Sequence, residues 1–448
     1  MNIEKLNTVY FLGIGGIGMS ALARYFSQAG KKVHGYDKVC TPLTVALAEE
    51  GMVIHYTEDI KQIPENTNLV VYTPAIPPDN TELVYIRNKG IPLMKRAQLL
   101  GELANNHFTI AVAGTHGKTS ITSMIAFLLH QAGLPVTAFI GGIALNFNSN
   151  LVTSQQSRYV IVEADEYDQS FLHLHPDIAV VSSMDADHLD IYQNLHTMQG
   201  SYQSFVNQIK EGGLLISHED LSLNSPERKA SYGHSDHADI WSDQVSYQSG
   251  KVLFSIHREG CPPTPISWCI PGMHNIENAL AAAMVAIEVG VQPDVIAQGF
   301  SKYLGVKRRF EFRIRRNDMV FVDDYAHHPE EIRACIAAAR ELFPSKRITG
   351  VFQPHLFSRT RDFLDEFASS LSLLDEVILL PIYPARELPL PGLTSALLLE
   401  RIGLEMKLLC EKEELIKSII KLKPEVLLTL GAGDIDQLVE PIEKALNR

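Results

Sequence analysis

The chain has 448 residues, with 52 Asp and Glu against 39 Lys and Arg, a formal net charge of −13. That acidic balance excludes a dedicated nucleic-acid binder, which needs a basic face to replace condensed counterions, but it allows a local pocket that holds phosphates. With 46% hydrophobic and 20% charged residues, wholesale disorder is excluded, and at roughly 100–200 residues per domain the length predicts two to four domains.

No apolar run reaches the roughly 18 residues needed to span a bilayer, and the polar start Met1–Asn7 lacks the features of a secretory signal. No membrane partner is expected. The five cysteines (Cys40, Cys261, Cys269, Cys335, Cys410) show no C-x-x-C spacing. They read as reduced core thiols in a reducing compartment, most simply the cytoplasm.

The first hundred residues alternate strands and helices. Val9–Leu12 is a short apolar strand, Gly13-Ile14-Gly15-Gly16-Ile17-Gly18 a glycine turn, and Met19–Gln28 a helix ending at Gly30. Val33–Tyr36, closed by Asp37, and Leu69–Tyr72, ending in Thr73-Pro74-Ala75-Ile76, are further strands. A second pattern opens with the strand Phe108–Ala113, the turn Gly114–Ser120 and the helical stretch Ile121–Gln131. Tyr159–Val162 and Ile178–Ser182 are buried-type strands, each followed by acids. Residues 219–270 are polar and turn-rich and read as a small antiparallel extension. Asn275–Val289 is an alanine-rich helix. In a third pattern Met319–Val322, Ile348–Phe352, Glu376–Leu380 and Val426–Leu430 are strands with helices between them. The expected fold is α/β in three successive domains: a Rossmann-like domain over 1–106, a central P-loop ATPase-type domain over 107–306 and a second Rossmann-like domain over 307–448.

Gly114-Thr115-His116-Gly117-Lys118-Thr119-Ser120 joins a strand to a helix. Such a turn aims backbone N–H groups and the positive helix end at a phosphate. Lys118 adds a charge for the terminal phosphates and Thr119 a hydroxyl for Mg²⁺. The strict phosphate-loop pattern wants glycine at position 112, where Val112 stands. Glu163 ends an apolar strand, so it should face the same crevice, since ligands bind outside the carboxyl ends of parallel strands. Asp165, Glu166 and Asp168 follow; some of these acids are expected simply to be solvated. Asp187, His188 and Asp190 follow the next strand. A carboxylate, an imidazole and the Thr119 hydroxyl make a metal set of Thr119, Glu163 and His188, although imidazole is an unusual Mg²⁺ ligand.

The N-terminal turn, with Gly13, Gly15 and Gly18 in the G-x-G-x-x-G pattern, precedes Asp37 by 19 residues counted from Gly18. Taken alone this is a dinucleotide fingerprint and suggests NAD. Physically it asks only for a diphosphate, and a nucleotide sugar serves equally well. His274 and Asn275, with Asn278 one turn on, can read an adenine edge or cap a helix. Lys307-Arg308-Arg309 is a basic run at a domain junction. Asp323-Asp324-Tyr325-Ala326-His327-His328 ends one strand of the third domain, and Gln353-Pro354-His355 with Arg359 and Arg361 follows another. Arginine and histidine there are suited to gripping a carboxylate.

With these motifs in order, the whole chain resembles the Mur ligases, the ATP-dependent amide ligases of peptidoglycan synthesis. The residues that carry the resemblance are FLGIGGIGMSALA (Phe11–Ala23), GTHGKTS (Gly114–Ser120), EADEYD (Glu163–Asp168), DHLD (Asp187–Asp190), HNIEN (His274–Asn278), DDYAHHP (Asp323–Pro329) and QPHLFSRT (Gln353–Thr360). The resemblance implies a UDP-sugar domain, a central ATPase and an amino-acid domain, acting on UDP-N-acetylmuramate and L-alanine with ATP and Mg²⁺. It places Gly114 to Ser120, His274, Asn275, Asn278, Arg308, Asp323 and Asp324 at ATP. It gives Gly13, Gly15, Gly16, Gly18, Met19, Ser20, Asp37, Thr73, Pro74, Ala75, Ile76 and His116 to the sugar nucleotide. Tyr325, His355 and Arg359 then meet the amino acid, and Lys118, His188, Glu163, His355 and Arg359 form the catalytic set.

Two departures stand out. Leu356 occupies a place often held by arginine in the family, which leaves the amino-acid carboxylate leaning on Arg359. No lysine lies between His188 and Ile209, so the carboxylated lysine of several relatives is not expected, in keeping with the alanine-adding branch. Three other functions compete: a recycling ligase that adds a ready-made tripeptide, a sensor that binds both nucleotides without turnover, and an NAD-dependent dehydrogenase. The last leaves Gly114–Ser120 and Glu163 without a task. Assembly of one site from three domains implies closure on binding. The sequence leaves open which histidine takes the amine proton (His188, His327, His328 or His355) and the oligomeric state.

Overall fold

The structure is a computed structural model and describes residues 5–185, 195–248, 250–385 and 387–447. It is a three-domain α/β fold with one largely parallel sheet in each domain. The first sheet holds β1 (Thr8–Leu12), β2 (Lys32–Tyr36), β3 (Val53–His55), β4 (Leu69–Tyr72) and β5 (Leu93–Lys95) in the order β3-β2-β1-β4-β5. Its β1 strand is buried along its length, as a central parallel strand covered on both faces must be. The short strands β3 and β5 went unrecognised in the sequence because three residues give no periodicity to read.

The central sheet holds β6 (Phe108–Ala113), β7 (Val136–Ala144), β8 (Ser149–Val152), β9 (Tyr159–Glu163), β10 (Ile178–Val181), β11 (Leu214–His218), β12 (Arg228–Gly233), β13 (Ile240–Gln248), β14 (Lys251–Arg258) and β15 (Thr264–Trp268). Its order is β15-β14-β13-β12-β11-β10-β6-β9-β7-β8. The expectation of a small antiparallel extension or insertion over 219–270 is corrected for β12, which pairs parallel with β11 and with β13, whereas β13 and β14 are sheet neighbours separated by two residues, too few for a parallel crossover. β12 runs from exposed at Arg228 and Lys229 to buried at Tyr232 and Gly233, a pattern that does not distinguish parallel from antiparallel pairing.

The third sheet holds β16 (Glu311–Arg315), β17 (Val320–Asp324), β18 (Ile348–Phe352), β19 (Glu376–Leu379), β20 (Met406–Leu409) and β21 (Val426–Leu430) in the order β16-β17-β21-β18-β19-β20. β17 with β21, β21 with β18, β18 with β19 and β19 with β20 pair parallel, and β16 with β17 antiparallel. The helix Pro329–Leu342 starts with proline at its first turn, Glu330 and Glu331 near its positive end, and His328 as a capping acceptor.

By contacts the chain divides into two units. One takes residues up to Asp243 with Ser255–Ile266 and Glu277–Tyr303; the other takes Gln244–Phe254, Ser267–Ile276 and Leu304–Arg448. The first unit carries the first sheet and most of the central one, which share a core running from Phe11 and Phe26 to Val162, Phe171 and Phe205. In the second unit both faces of the C-terminal sheet are packed, one around Phe352 and Phe367, the other around Phe321 and Ile378. Among the described residues no helix is long and apolar enough to cross a membrane. All five cysteines are free, but only Cys335 and Cys410 are buried core thiols, while Cys40 and Cys261 are exposed.

Candidate functional site

In the first unit, β6 leads into the glycine turn and the helix Lys118–Gln131. Gly114 and Gly117 have φ of 137° and 83°, conformations that L side chains rarely adopt, and a Cβ on Gly114 would come 2.0 Å from Ser182 Oγ. Gly117 is the N-cap and supplies no side chain, so the helix's positive end stays open. The departure at Val112 now has a reason: it is a fully buried strand residue paired between Glu163 and Val180, where no glycine is needed.

Around this turn the structure gathers several of the expected residues. Thr119 Oγ1 donates to Glu163 Oε2 at 3.1 Å, and the Gly141 N–H donates to Glu163 Oε1. Lys118 Nζ donates to the Gly114 carbonyl at 2.6 Å and to both oxygens of Glu166 at 2.8 Å. Glu166 is 2% exposed, so this is a nearly buried ion pair. Burial alone would lower the Lys118 pKa, but the carboxylates of Glu166, Asp165 and Glu163 outweigh it and hold the ammonium above its ordinary value. The His116 N–H donates to Ser183 Oγ at 2.9 Å, and its ring lies 3.6 Å from Asp185. Thr115 Oγ1 donates to the Asp185 carbonyl at 3.1 Å, while Ser120 is half-buried beside it. Asn278 abuts the turn, since a Cβ on Gly117 would come 2.5 Å from its Oδ1. His188, with Asp187 and Asp190, lies outside the described residues.

Sequence reasoning passed over the specific role of Glu166, one acid among four, and missed Ser182, Ser183 and Arg96. Arg96 Nη2 pairs with Asp165 at 3.1 Å, and a Cβ on Gly18 would come 2.9 Å from its Nη1. The two serines directly follow a strand in the sheet that carries the phosphate turn, and that position was their only signal.

The N-terminal turn is braced from below. Gly13 has φ of 85° and donates to the Tyr36 carbonyl at 2.8 Å. Asp37 accepts from the Gly15 N–H at 2.7 Å and the Val39 N–H at 3.2 Å, so its carboxylate holds the turn. Thr73 and Ile76 lie against Gly13, with Pro74 and Ala75 exposed between them. Gly16 is the N-cap of the helix Ile17–Gln28 and makes no side-chain cap. Met19 and Ser20 are buried, Ser20 Oγ donating to the Ile17 carbonyl at 2.9 Å. The Ser20 N–H is engaged as well, donating to the Gly16 carbonyl at 2.8 Å.

In the second unit, His274 is exposed and Asn275 is buried, donating its Nδ2 to the Pro271 carbonyl at 2.7 Å. Arg308, with φ of 60°, donates from Nε to Asp323 at 3.3 Å and from Nη2 to the Gly431 carbonyl at 2.5 Å. Asp323 is 1% exposed and also accepts from Thr429 Oγ1 at 2.7 Å. Burial pushes its pKa up, against the pull of Arg308 and Thr429. Asp324 accepts from the Phe310 and Ala326 N–H groups at 2.7 Å each. Burial outweighs Arg309 and these donors and pushes its carboxyl up to about 6. The guanidinium carbons of Arg308 and Arg309 each lie 5.2 Å from the centre of the Tyr325 ring.

Rings continue from there. Tyr325 meets His327 at 5.1 Å, His327 meets His355 at 6.3 Å, and His355 stacks on Tyr383 at 5.7 Å. His327 Nδ1 sits 3.1 Å from the Tyr325 carbonyl and 3.2 Å from Glu331. Arg359 is half-buried on the short helix Phe357–Asp362. Leu356, before it, has φ of 69° and donates its N–H to the Tyr383 carbonyl at 2.9 Å. Glu387 accepts from the Ser358 N–H at 2.9 Å, bracing that helix. Nothing in the sequence pointed to Tyr383 or Glu387.

Models of the Mur ligase family, catalytic domain, of the Mur ligase middle domain, and of the Mur ligase, glutamate ligase domain match residues 8–108, 112–286 and 308–433. Two curated relatives are UDP-N-acetylmuramate–L-alanine ligases. The one from Cytophaga hutchinsonii is 46% identical, over 99% of this chain and 97% of its own length; the one from Flavobacterium johnsoniae is 44% identical, over 100% and 99%. The crystal structure of the UDP-N-acetylmuramate-alanine ligase from Thermotoga maritima superposes with a TM-score of 0.86 at 26% identity, covering 98% of this chain and 99% of that one. A murein peptide ligase from Psychrobacter arcticus shares the fold, with a TM-score of 0.73 at 23% identity over 99% of each chain.

Proposed function

Because the chain belongs to the Mur ligase family, we propose that it forms the amide between the lactyl carboxylate of UDP-N-acetylmuramate and L-alanine, converting ATP to ADP and phosphate. This is a step of peptidoglycan precursor synthesis, and its place is the cytoplasm, where the nucleotide substrates are made. The observation that carries the chemistry is the convergence of Lys118, Thr119 and Glu163 on an open helix end at the carboxyl edge of a parallel sheet.

A carboxylate is a poor electrophile and must be activated. A lactyl carboxylate oxygen attacks the γ-phosphorus of ATP, the bond to the β-phosphate oxygen breaks, and ADP leaves. Lys118 and the N–H groups of the turn hold the phosphate oxygens as charge spreads over them. The Thr119 hydroxyl and the Glu163 carboxylate, 3.1 Å apart, are hard oxygen donors that fit Mg²⁺. His188 is the third member of that set. When bound, the ion neutralises phosphate charge. The amine of L-alanine, in its neutral form, then attacks the acyl carbon, the tetrahedral adduct loses phosphate, and the amine proton passes to a base. His328 is 8% exposed and caps a helix, which leaves His327 and His355 as the better-placed imidazoles of the second unit. Arg359 grips the amino-acid carboxylate, and Tyr325 and His355 line its site.

We assign the glycine turn, Asp37 and the 73–76 loop to the sugar nucleotide. Domain limits at 106 and 306 go with these three tasks. The test is phosphate release with Mg²⁺-ATP and UDP-N-acetylmuramate, with and without L-alanine. Alanine-dependent phosphate and a product heavier by one alanyl residue are expected. Turnover with an L-Ala-γ-D-Glu-diamino-acid tripeptide but not with alanine would refute the alanine assignment, and binding of both nucleotides without turnover would refute the ligase.

A further inference from the structure

The hairpin of β7 and β8 touches both phosphate-facing parts of its unit, yet its residues belong to none of the motifs above. Its pairing slips between Phe139 and Ala144, and in that irregular stretch the Gly141 N–H donates to Glu163. A Cβ on Gly141 would come 2.4 Å from Glu163 Oε2, so the carboxylate rests directly on hairpin backbone.

Across the hairpin from that stretch, between Ser149 and Leu151 on β8, stands Asn150, fully buried. Its Oδ1 accepts from Arg24 Nη1 at 2.5 Å, and its Nδ2 donates to the Ile17 carbonyl at 2.7 Å and to Ser20 Oγ at 2.9 Å. Arg24 is 5% exposed and is paired with Glu50 at 2.7 Å. Both ends of the Asn150 amide are therefore satisfied by the first helix, just behind the N-terminal glycine turn. A buried amide so placed is costly to disturb, because every partner it leaves loses a hydrogen bond out of water's reach.

We propose that Asn150 is a positioning residue that couples the two nucleotide sites through this hairpin. It fixes the helix behind the sugar-nucleotide turn relative to the carboxylate that faces the metal and ATP. The inference rests on the assignment of Gly13–Gly18 to UDP-N-acetylmuramate and of Glu163 to Mg²⁺. Ordering Glu163 by nucleotide and metal then orders the hairpin, and the hairpin orders the helix behind Gly13–Gly18.

The test is calorimetric. Binding of UDP-N-acetylmuramate to the full-length protein is measured with and without Mg²⁺ and a non-hydrolysable ATP analogue, for the wild type, Asn150→Ala and Asn150→Asp. The wild type should bind the sugar nucleotide about 5-fold or more tighter when the other site is filled, the lower end of measured couplings between sites. Asn150→Ala should bring that factor close to one while the affinity for the ATP analogue alone stays within about 3-fold, below the range of such couplings. Asn150→Asp keeps the acceptor for Arg24 but cannot donate to Ile17 and Ser20. It should lose the coupling too, and it carries the test if the alanine variant does not fold. An unchanged factor in either folded variant, or no coupling in the wild type, would overturn the proposal. A wild type that binds the ATP analogue but no UDP-N-acetylmuramate would instead remove the substrate assignment, and the coupling with it.

Discussion

Lys118→Met and Glu166→Gln, made singly and together, test the nearly buried ion pair beneath the phosphate turn. The lysine side chain is 18% exposed and the glutamate 2%. Removing one partner of a buried pair costs about 3–5 kcal/mol, because the remaining charge keeps its desolvation penalty and loses its compensation. Lys118→Met leaves the deeper charge behind and should sit at about 3–5 kcal/mol, a large share of a total stability of roughly 5–15 kcal/mol. In Glu166→Gln the lysine keeps the Gly114 carbonyl at 2.6 Å and some water, so a loss of about 2–3 kcal/mol is expected. The double variant buries no ion pair and should lose no more than Lys118→Met alone, giving a coupling of about 2–3 kcal/mol. Urea unfolding followed by circular dichroism at pH 7 measures all four proteins. A raised lysine pKa contributes stability fully present below the unfolded value of 10.5 and lost as pH rises beyond it, so the wild type alone should lose this contribution in strong alkali. ATP turnover should vanish with Lys118→Met. Strictly additive losses in the cycle, or a Lys118→Met variant as stable as the wild type, would refute the pairing.

Three more outcomes follow from the geometry. Asp324, held up to about 6 against an ordinary 3.8, binds its proton more tightly in the folded state. Its contribution is therefore full below pH 3.8 and lost as pH rises to about 6; wild-type stability minus that of Asp324→Asn should fall across this window in a denaturation series. Glu277, 2.7 Å from His234 and 3.7 Å from His218, resists its burial through these two imidazoles and drops to about 2, while its carboxylate raises both histidines. The carboxylate's share is present above 4.5 and the histidines' below 6.5, so Glu277→Gln should cost most stability between those values and less on either side. Arg359→Lys replaces a planar fork by a point charge and should raise KM for L-alanine by roughly 10- to 100-fold, with ATP binding unchanged by titration.

Much of the site was legible because it depends on strand ends. Glu163 could be placed from three apolar residues before it, and Lys118 and Thr119 from a glycine turn between strand and helix. What the chain order hides is which neighbour answers each group. Lys118 pairs with Glu166, one of four acids within six residues, and only the backbone path after β9 decides which of them turns inward. Asp37 completed a dinucleotide fingerprint in the sequence but carries the Gly15 N–H, since the turn curls back over the end of β2. Tyr383 and Glu387 carry no motif; they matter because β18 and β19 are adjacent, so the segment after one lies against the segment after the other. The polar stretch after Glu219 misled only at β12, because short alternating runs occur in parallel and antiparallel strands alike.

The placing of β6 also bears on how the chain acquires its activity. β6 ends directly in the phosphate turn, but its sheet partners are β9 and β10, which come later in the chain. Pairings between distant parallel strands are slow to form, because the chain closes a long loop before any contact rewards it. The turn's scaffold includes Ser182, Ser183 and Asn278 from still later segments. During synthesis the lysine, threonine and glycines thus emerge well before the residues that hold them in shape. Nucleotide binding should switch on late, once the helix Met273–Glu288 has left the ribosome, and a nascent chain stopped before it has the motif but not the site.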